Sequence, residues 1–120
     1  MLKEQIFASR LRAARAHKSG QLKAAGHSPY TQTRLGIDAG IASNTAGARI
    51  SQYESGVHMP DINTAARFAA LLDVPLAYLF CDDLDLAEML LLAHQLQPAE
   101  RKALREYLKI LRNAHSSVKA

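Results

Sequence analysis

Apolar residues recur along this chain at three- and four-residue spacing, the pattern of helices with one buried face. Ile6, Phe7, Leu11 and Ala14 share such a face, as do Ile62, Ala65, Ala66, Ala69 and Leu72. No segment alternates well enough to predict a strand, so the expected class is all-α. Between Ala16 and Pro29 the pattern lapses into a basic, small-residue stretch. A frayed extension of the first helix or a loop would both suit it, and Gly20, Gly26 and Pro29 favour a loop with some helical character.

From Tyr30 onward, start and stop signals divide the chain into short helices. Thr31 is placed to cap one that runs to a break at Gly40. The next starts at Ser43, Asn44 or Thr45, all good capping residues, and ends before Gly56, which reads as a left-handed terminal glycine. Asp61 opens a further helix that Asp73-Val74-Pro75 closes, leaving room for a short helix from Pro75 to about Phe80. Residues 1–81 thus form a five-helix unit.

Beyond an acidic hinge at Cys81-Asp82-Asp83, a helix is predicted from about Leu84 to Leu96. Gln97-Pro98 opens a last one, with Glu100 near its positive end. Residues 82–120 are expected to form a helical hairpin. Leu84, Leu86, Met89 and Leu90 to Leu92 cover more of the first helix than one packing surface would bury. Leu104, Tyr107, Leu108 and Leu111 come next, at bundle-like spacing. Leu90, Leu91, Leu104, Leu108 and Leu111 are therefore the expected dimer contacts, the alternative being a hairpin that only caps the monomer's core.

A chain of 120 residues, 48% hydrophobic, can bury a core but leaves no room for a large multi-domain enzyme. Its basic character is concentrated: residues 1–60 carry 8 Lys and Arg against 3 Asp and Glu, and residues 61–120 carry 7 against 8. Such asymmetry suits a lobe that meets a polyanion, although a solvated basic surface would read the same. Cys81 is the only cysteine, which excludes an internal disulfide and a Cys-cluster zinc site. The start lacks a signal-peptide core and no apolar run approaches a membrane span, so a reducing cytoplasm is the expected compartment, with no membrane association. His17, His27, His58, His94 and His115 have no zinc-site spacing, and there is no P-loop, dinucleotide fingerprint or nucleophile elbow. Neither an enzyme nor a cofactor is expected.

Two helices joined by a tight glycine turn, the second presenting polar side chains, are what a major-groove reader requires. Residues 31–56 supply those parts. Thr31-Gln32-Thr33-Arg34-Leu35 begins the positioning helix, Gly40-Ile41 makes the turn, and Ile50-Ser51-Gln52-Tyr53-Glu54-Ser55-Gly56 ends the second helix. In this order the segments resemble the helix-turn-helix of phage Cro and repressor-type (XRE-like) regulators. The resemblance covers roughly residues 5–81, taking in Phe7 to Arg15, Met59 to Ile62 and Leu71 to Leu79. Two features depart from the family pattern: the long basic stretch before Tyr30, and a spacing of ten from Gly40 to Ile50, about four more than usual.

Direct base readout needs side chains that present hydrogen-bonding forks, which selects Asn44, Arg49 and Gln52. Ser43, Thr45 and Ser51 are candidates for phosphate or base contact, with helix capping an equal role for residues 43–45. Ala46, Gly47 and Ala48 are small enough to let the backbone approach the groove. The resemblance implies that Gln32 bonds a phosphate beside the free amides of its helix. It also implies an ion pair between Arg15 and Glu54 that ties the first helix to the end of the recognition helix. Thr31, Arg34 and His58, with Arg10, Lys18 and Lys23, are further backbone-contact candidates. Leu11, Leu35, Ile41, Ile50, Tyr53, Val57, Phe68 and Leu72 read as core.

The expected function is that of a homodimeric transcriptional regulator, of bacterial or phage type, that binds double-stranded DNA and represses from a palindromic operator. The alternative is a protein-interaction module, antitoxin-like or an assembly partner, that keeps the helix-turn-helix as scaffold.

Overall fold

A computed structural model of the chain describes residues 2–119, with side chains up to residue 115. The elements are α1 (Lys3–Ala24), α2 (Gln32–Asp38), α3 (Ser43–Glu54), α4 (Ile62–Leu72), a 3-10 helix (Leu76–Phe80), α5 (Leu84–His94) and α6 (Pro98–Lys119). No strand occurs among the described residues.

The basic stretch expected to loop is helical instead, and α1 runs through Gly20 to Ala24. An interior glycine costs a helix roughly 1 kcal/mol relative to alanine, and tertiary bonds offset it. Lys18 Nζ donates to the Leu71 carbonyl at 2.6 Å and lies 4.2 Å from the Tyr30 ring centroid. Ser19 Oγ accepts from the Tyr30 amide at 3.0 Å, and Leu22 packs on the core. The helix stops where Gly26, at φ +84°, lets the His27 amide reach back to the Leu22 carbonyl at 2.8 Å.

The short helices are capped by their own side chains. Thr31 accepts from the Arg34 amide, Asp61 from that of Thr64 and Asp83 from that of Leu86. Hydrogen bonding to Thr64 holds the Asp61 carboxyl below its ordinary range. α3 starts at Ser43 and ends before Gly56 as expected, but the capping role fails: its N-cap is Ala42, with no side-chain cap, and Ser43, Asn44 and Thr45 lie in its first turn.

Phe7, Leu11, Leu35, Ile50, Phe68 and Leu79 are fully buried and make the centre on which α1, α2, α3, α4 and the 3-10 helix converge. Val57 and Ile62, expected inside, are about 60% exposed. Val57 comes after the left-handed Gly56 and stays at the surface at the chain reversal, and Ile62 stands in the exposed first turn of α4. Ala66 is likewise exposed.

The expected C-terminal hairpin is not formed. α5 buries Ala87 and leans Leu91 on the core, whereas α6 packs along no other helix, and of its side chains up to residue 115 only Leu104 is even half-buried. Its start is fixed by polar bonds. The Arg101 guanidinium donates to the Ala93 carbonyl at 3.0 Å and the His94 carbonyl at 2.9 Å, satisfying the end of α5. Glu100 accepts from the Gln97 amide at 2.8 Å. The outstretched α6 gives the chain a longest dimension of 60 Å and a radius of gyration of 17.1 Å, against about 14 Å for a compact chain of this length.

Candidate nucleic-acid interface

α2 and α3 approach closely because small residues face one another at their crossing. A Cβ added at Gly36 would stand 2.7 Å from the Cβ of Ala46, and one at Gly47 would stand 2.6 Å from Thr33 Oγ1. Ala46 and Gly47, expected to let the backbone approach the groove, serve internal packing instead, and of the three small residues only Ala48 is exposed. Gly40, at φ +93°, makes the turn, and the Ile41 amide closes it on the Gly36 carbonyl at 2.9 Å.

With Ala46, Ile50, Tyr53 and Glu54 turned inward, helical geometry leaves Asn44, Ala48, Ser51 and Gln52 along one outward stripe of α3. Thr45 and Arg49 stand at its edge, and Ser43 is exposed in the first turn. Among the described residues the side chains of Asn44, Arg49 and Gln52 make no hydrogen bond within the chain, and Thr45 Oγ1 donates only to the Ala42 carbonyl at 3.3 Å. The donors and acceptors of the stripe are thus free for an outside partner. Arg49 also lines a shallow recess beside the turn with Thr45, Thr64 and Arg67. Sequence reasoning missed Arg67, which becomes a candidate only because α4 packs near the start of α3. Its guanidinium donates to Thr64 Oγ1 at 3.0 Å.

Behind the stripe, the buried Glu54 carboxylate joins three helices. Arg15 Nε donates to its Oε2 at 2.6 Å and Arg15 Nη2 to its Oε1 at 3.0 Å, and the Gln32 amide also donates to Oε1 at 3.0 Å. Arg12, also missed, donates to the Glu54 backbone carbonyl. A charge this deeply buried is tolerable because its lone pairs are satisfied. Gln32 is therefore half-buried and commits one of its two amide N–H groups to the joint.

The remaining candidates divide by their bonds. Arg34 Nε pairs with both oxygens of Asp38 at 3.1 and 3.2 Å, and Tyr30 Oη donates to Asp38 at 2.7 Å. The Tyr30 bond, chiefly, holds the Asp38 carboxyl below its usual range, and burial pushes the Tyr30 phenol well above its own. Thr31, Ser51 and His58 are exposed, as is Lys23 at the end of α1. Arg10 and Lys18 are not surface cations aimed at phosphate. Arg10 is buried with Nε on the Cys81 carbonyl at 3.0 Å, and Lys18 holds the Leu71 carbonyl. Among the described residues no cluster of His, Cys, Asp and Glu could hold a metal ion, and no helix is long and apolar enough to cross a membrane.

No protein-family profile and no curated protein matches the chain. Among solved structures, that of the transcriptional regulator BswR superposes with a TM-score of 0.73 at 36% sequence identity, covering 89% of this chain and 96% of the other. With that identity sustained over nearly all of both chains, the protein belongs to the family of the transcriptional regulator BswR.

Proposed function

We propose that this protein is a sequence-specific, double-stranded-DNA-binding transcriptional regulator of the helix-turn-helix class, acting as a homodimeric repressor. The observation that carries the reading is the α3 stripe: unbonded, exposed Asn44, Arg49 and Gln52 on a helix braced from behind by buried Glu54. In this reading Asn44 and Gln52 meet adenine and Arg49 meets guanine in the major groove. Thr31, Gln32, Arg34, Ser43, Thr45, Ser51 and His58 hold the phosphate backbone, and Arg67 joins them. Residues 1–81 bind DNA, and the segment after residue 82 pairs two copies. Two-fold symmetry then sets the recognition helices roughly 34 Å apart on an approximately palindromic operator. No catalytic step and no cofactor enters the reading.

Selecting bound duplexes from a random library at near-physiological salt tests it. A two-fold symmetric motif is expected, with affinity falling steeply as salt rises. Absence of enrichment would favour the interaction-module reading, for which the uncovered apolar face of α6 speaks.

A further inference from the structure

Among the described residues, eight of the thirteen exposed large hydrophobics lie on the last two helices: Leu84, Leu86, Met89 and Leu92 on α5, and Tyr107, Leu108, Ile110 and Leu111 on α6. By helical geometry Leu104, Tyr107, Leu108 and Leu111 form one continuous face of α6, flanked along one edge by Arg101, Arg105 and Arg112, with Lys109 on the far side. A long amphipathic helix with no cover is unstable in water without a partner surface.

A surface of matching character exists on the same molecule, and its own α6 does not pack over it. Between α1, the end of α4 and α5 lies an open recess of about 340 Å³ whose walls include Ala13, Leu72, Val74, Leu91 and Leu92, with Glu88 among its polar residues. The two charge patterns are opposite. Residues 82–88 hold Asp82, Asp83, Asp85 and Glu88 and no Lys or Arg, whereas residues 101–112 hold five Lys and Arg and one Glu. Two α6 helices laid on each other would bring like charges together, while α6 on α5 brings opposite ones. The dimensions also agree: the 11 residues of α5 span about 16 Å and the stretch Leu104 to Leu111 about 10 Å. Arg101 anchors the start of α6 to the end of its own α5, which directs the helix outward.

We infer that the dimer forms by reciprocal exchange. The α6 of each copy lies across the partner's α5 and seats its Leu108 and Leu111 face in the partner's recess. The inference rests on the homodimer of the proposed function and specifies which surfaces meet. Each dimer contains the contact twice, so two modest helix contacts act together in one isologous interface.

Two variants test it, read by sedimentation at micromolar concentration. Leu92→Asp spoils the recess, and the double variant Leu108→Asp, Leu111→Asp spoils the helix. All three side chains are about half exposed, so the monomer fold keeps its core in both variants. Each alone is expected to sediment as a monomer of 13.1 kDa. Mixed in equal amounts, they are expected to associate more strongly than either alone, because the recess variant supplies an intact helix to the helix variant's intact recess and one of the two contacts is restored. A Leu92→Asp protein that stays fully dimeric, or a mixture that associates no more strongly than either variant alone, would overturn the exchange. A wild-type monomer would instead overturn the homodimer itself. Glu88→Arg gives an independent reading: the dimer is expected to weaken roughly tenfold, and an unchanged dissociation constant would count against α6 as the occupant.

Discussion

Arg15 and Glu54 stand 39 positions apart and meet in a two-bond fork, one of its bonds 2.6 Å long, that fastens α1 to the last turn of α3. The pair ties the orientation of the outward stripe to the body of the molecule. Glu54 is 4% exposed, so its charge relies on these donors rather than on water. Arg15→Ala is expected to cost about 3 kcal/mol of folding stability, since it strands a buried carboxylate. Replacing both residues by apolar ones of similar volume should cost less than the single change. Denaturant unfolding of the single and double variants measures the difference.

The Tyr30–Asp38 pair makes stability depend on pH at both ends, the acid end chiefly through its hydrogen bond and the alkaline end chiefly through burial of the phenol. The folded Asp38 carboxyl titrates below its usual 3.8, so its contribution is present above that value and is lost as pH falls through the lowered one. The Tyr30 phenol titrates above its usual 10.0, so its contribution is complete below pH 10.0 and is lost as pH rises beyond. Tyr30→Phe should flatten the alkaline limb and move the Asp38 titration upward. Carboxyl-carbon NMR of Asp38 checks the second effect, and an unmoved titration would contradict the assigned cause.

Gly36 and Gly47 should respond differently to alanine. At Gly36 the new methyl meets Ala46, including its backbone at 3.0 Å, so α2 and α3 must separate. A loss of about 1 to 3 kcal/mol is expected. At Gly47 the nearest atom is the Thr33 hydroxyl, a rotatable group, and alanine's better helix propensity recovers up to about 1 kcal/mol. Thermal unfolding of the two variants should show Gly36→Ala clearly lowered and Gly47→Ala near wild type.

On DNA, Arg49→Ala and Gln52→Ala are each expected to cost about 1 to 3 kcal/mol, and only at particular base pairs. Gln32→Ala should weaken every sequence alike and also lower stability slightly, because Glu54 loses a donor. Competition binding across single-base operator variants separates these patterns. Uniform losses from all three would show that base readout lies elsewhere on α3.

Local chemistry was enough to find most of the helices and the glycine turn. Thr31, Asp61, Gly40 and Gly56 act within a few residues of themselves, so their roles are legible in order along the chain. The candidates Asn44, Arg49 and Gln52 were legible from their own side-chain chemistry, the hydrogen-bonding forks that base readout needs. The resemblance to repressors, a pattern spread over the chain, pointed to Arg15 and Glu54.

What the sequence by itself determined, then, is an all-helical chain with a glycine-turned helix pair and a polar stripe on the second helix. Tertiary structure alone decided the rest, because the deciding partners are distant in sequence. Bonds to Tyr30 and Leu71 keep α1 helical past Gly20, and the crossing at Gly36 takes Ala46 and Gly47 inward. Arg10 and Lys18 are drawn to backbone carbonyls 71 and 53 residues away. Leu91 leans inward while Leu92 faces out, and α6, whose apolar period foretold a hairpin, is tied to α5 at its start but, among the described residues, packs along no other helix. Periodicity states that a face must be covered, and only the packed structure states by what.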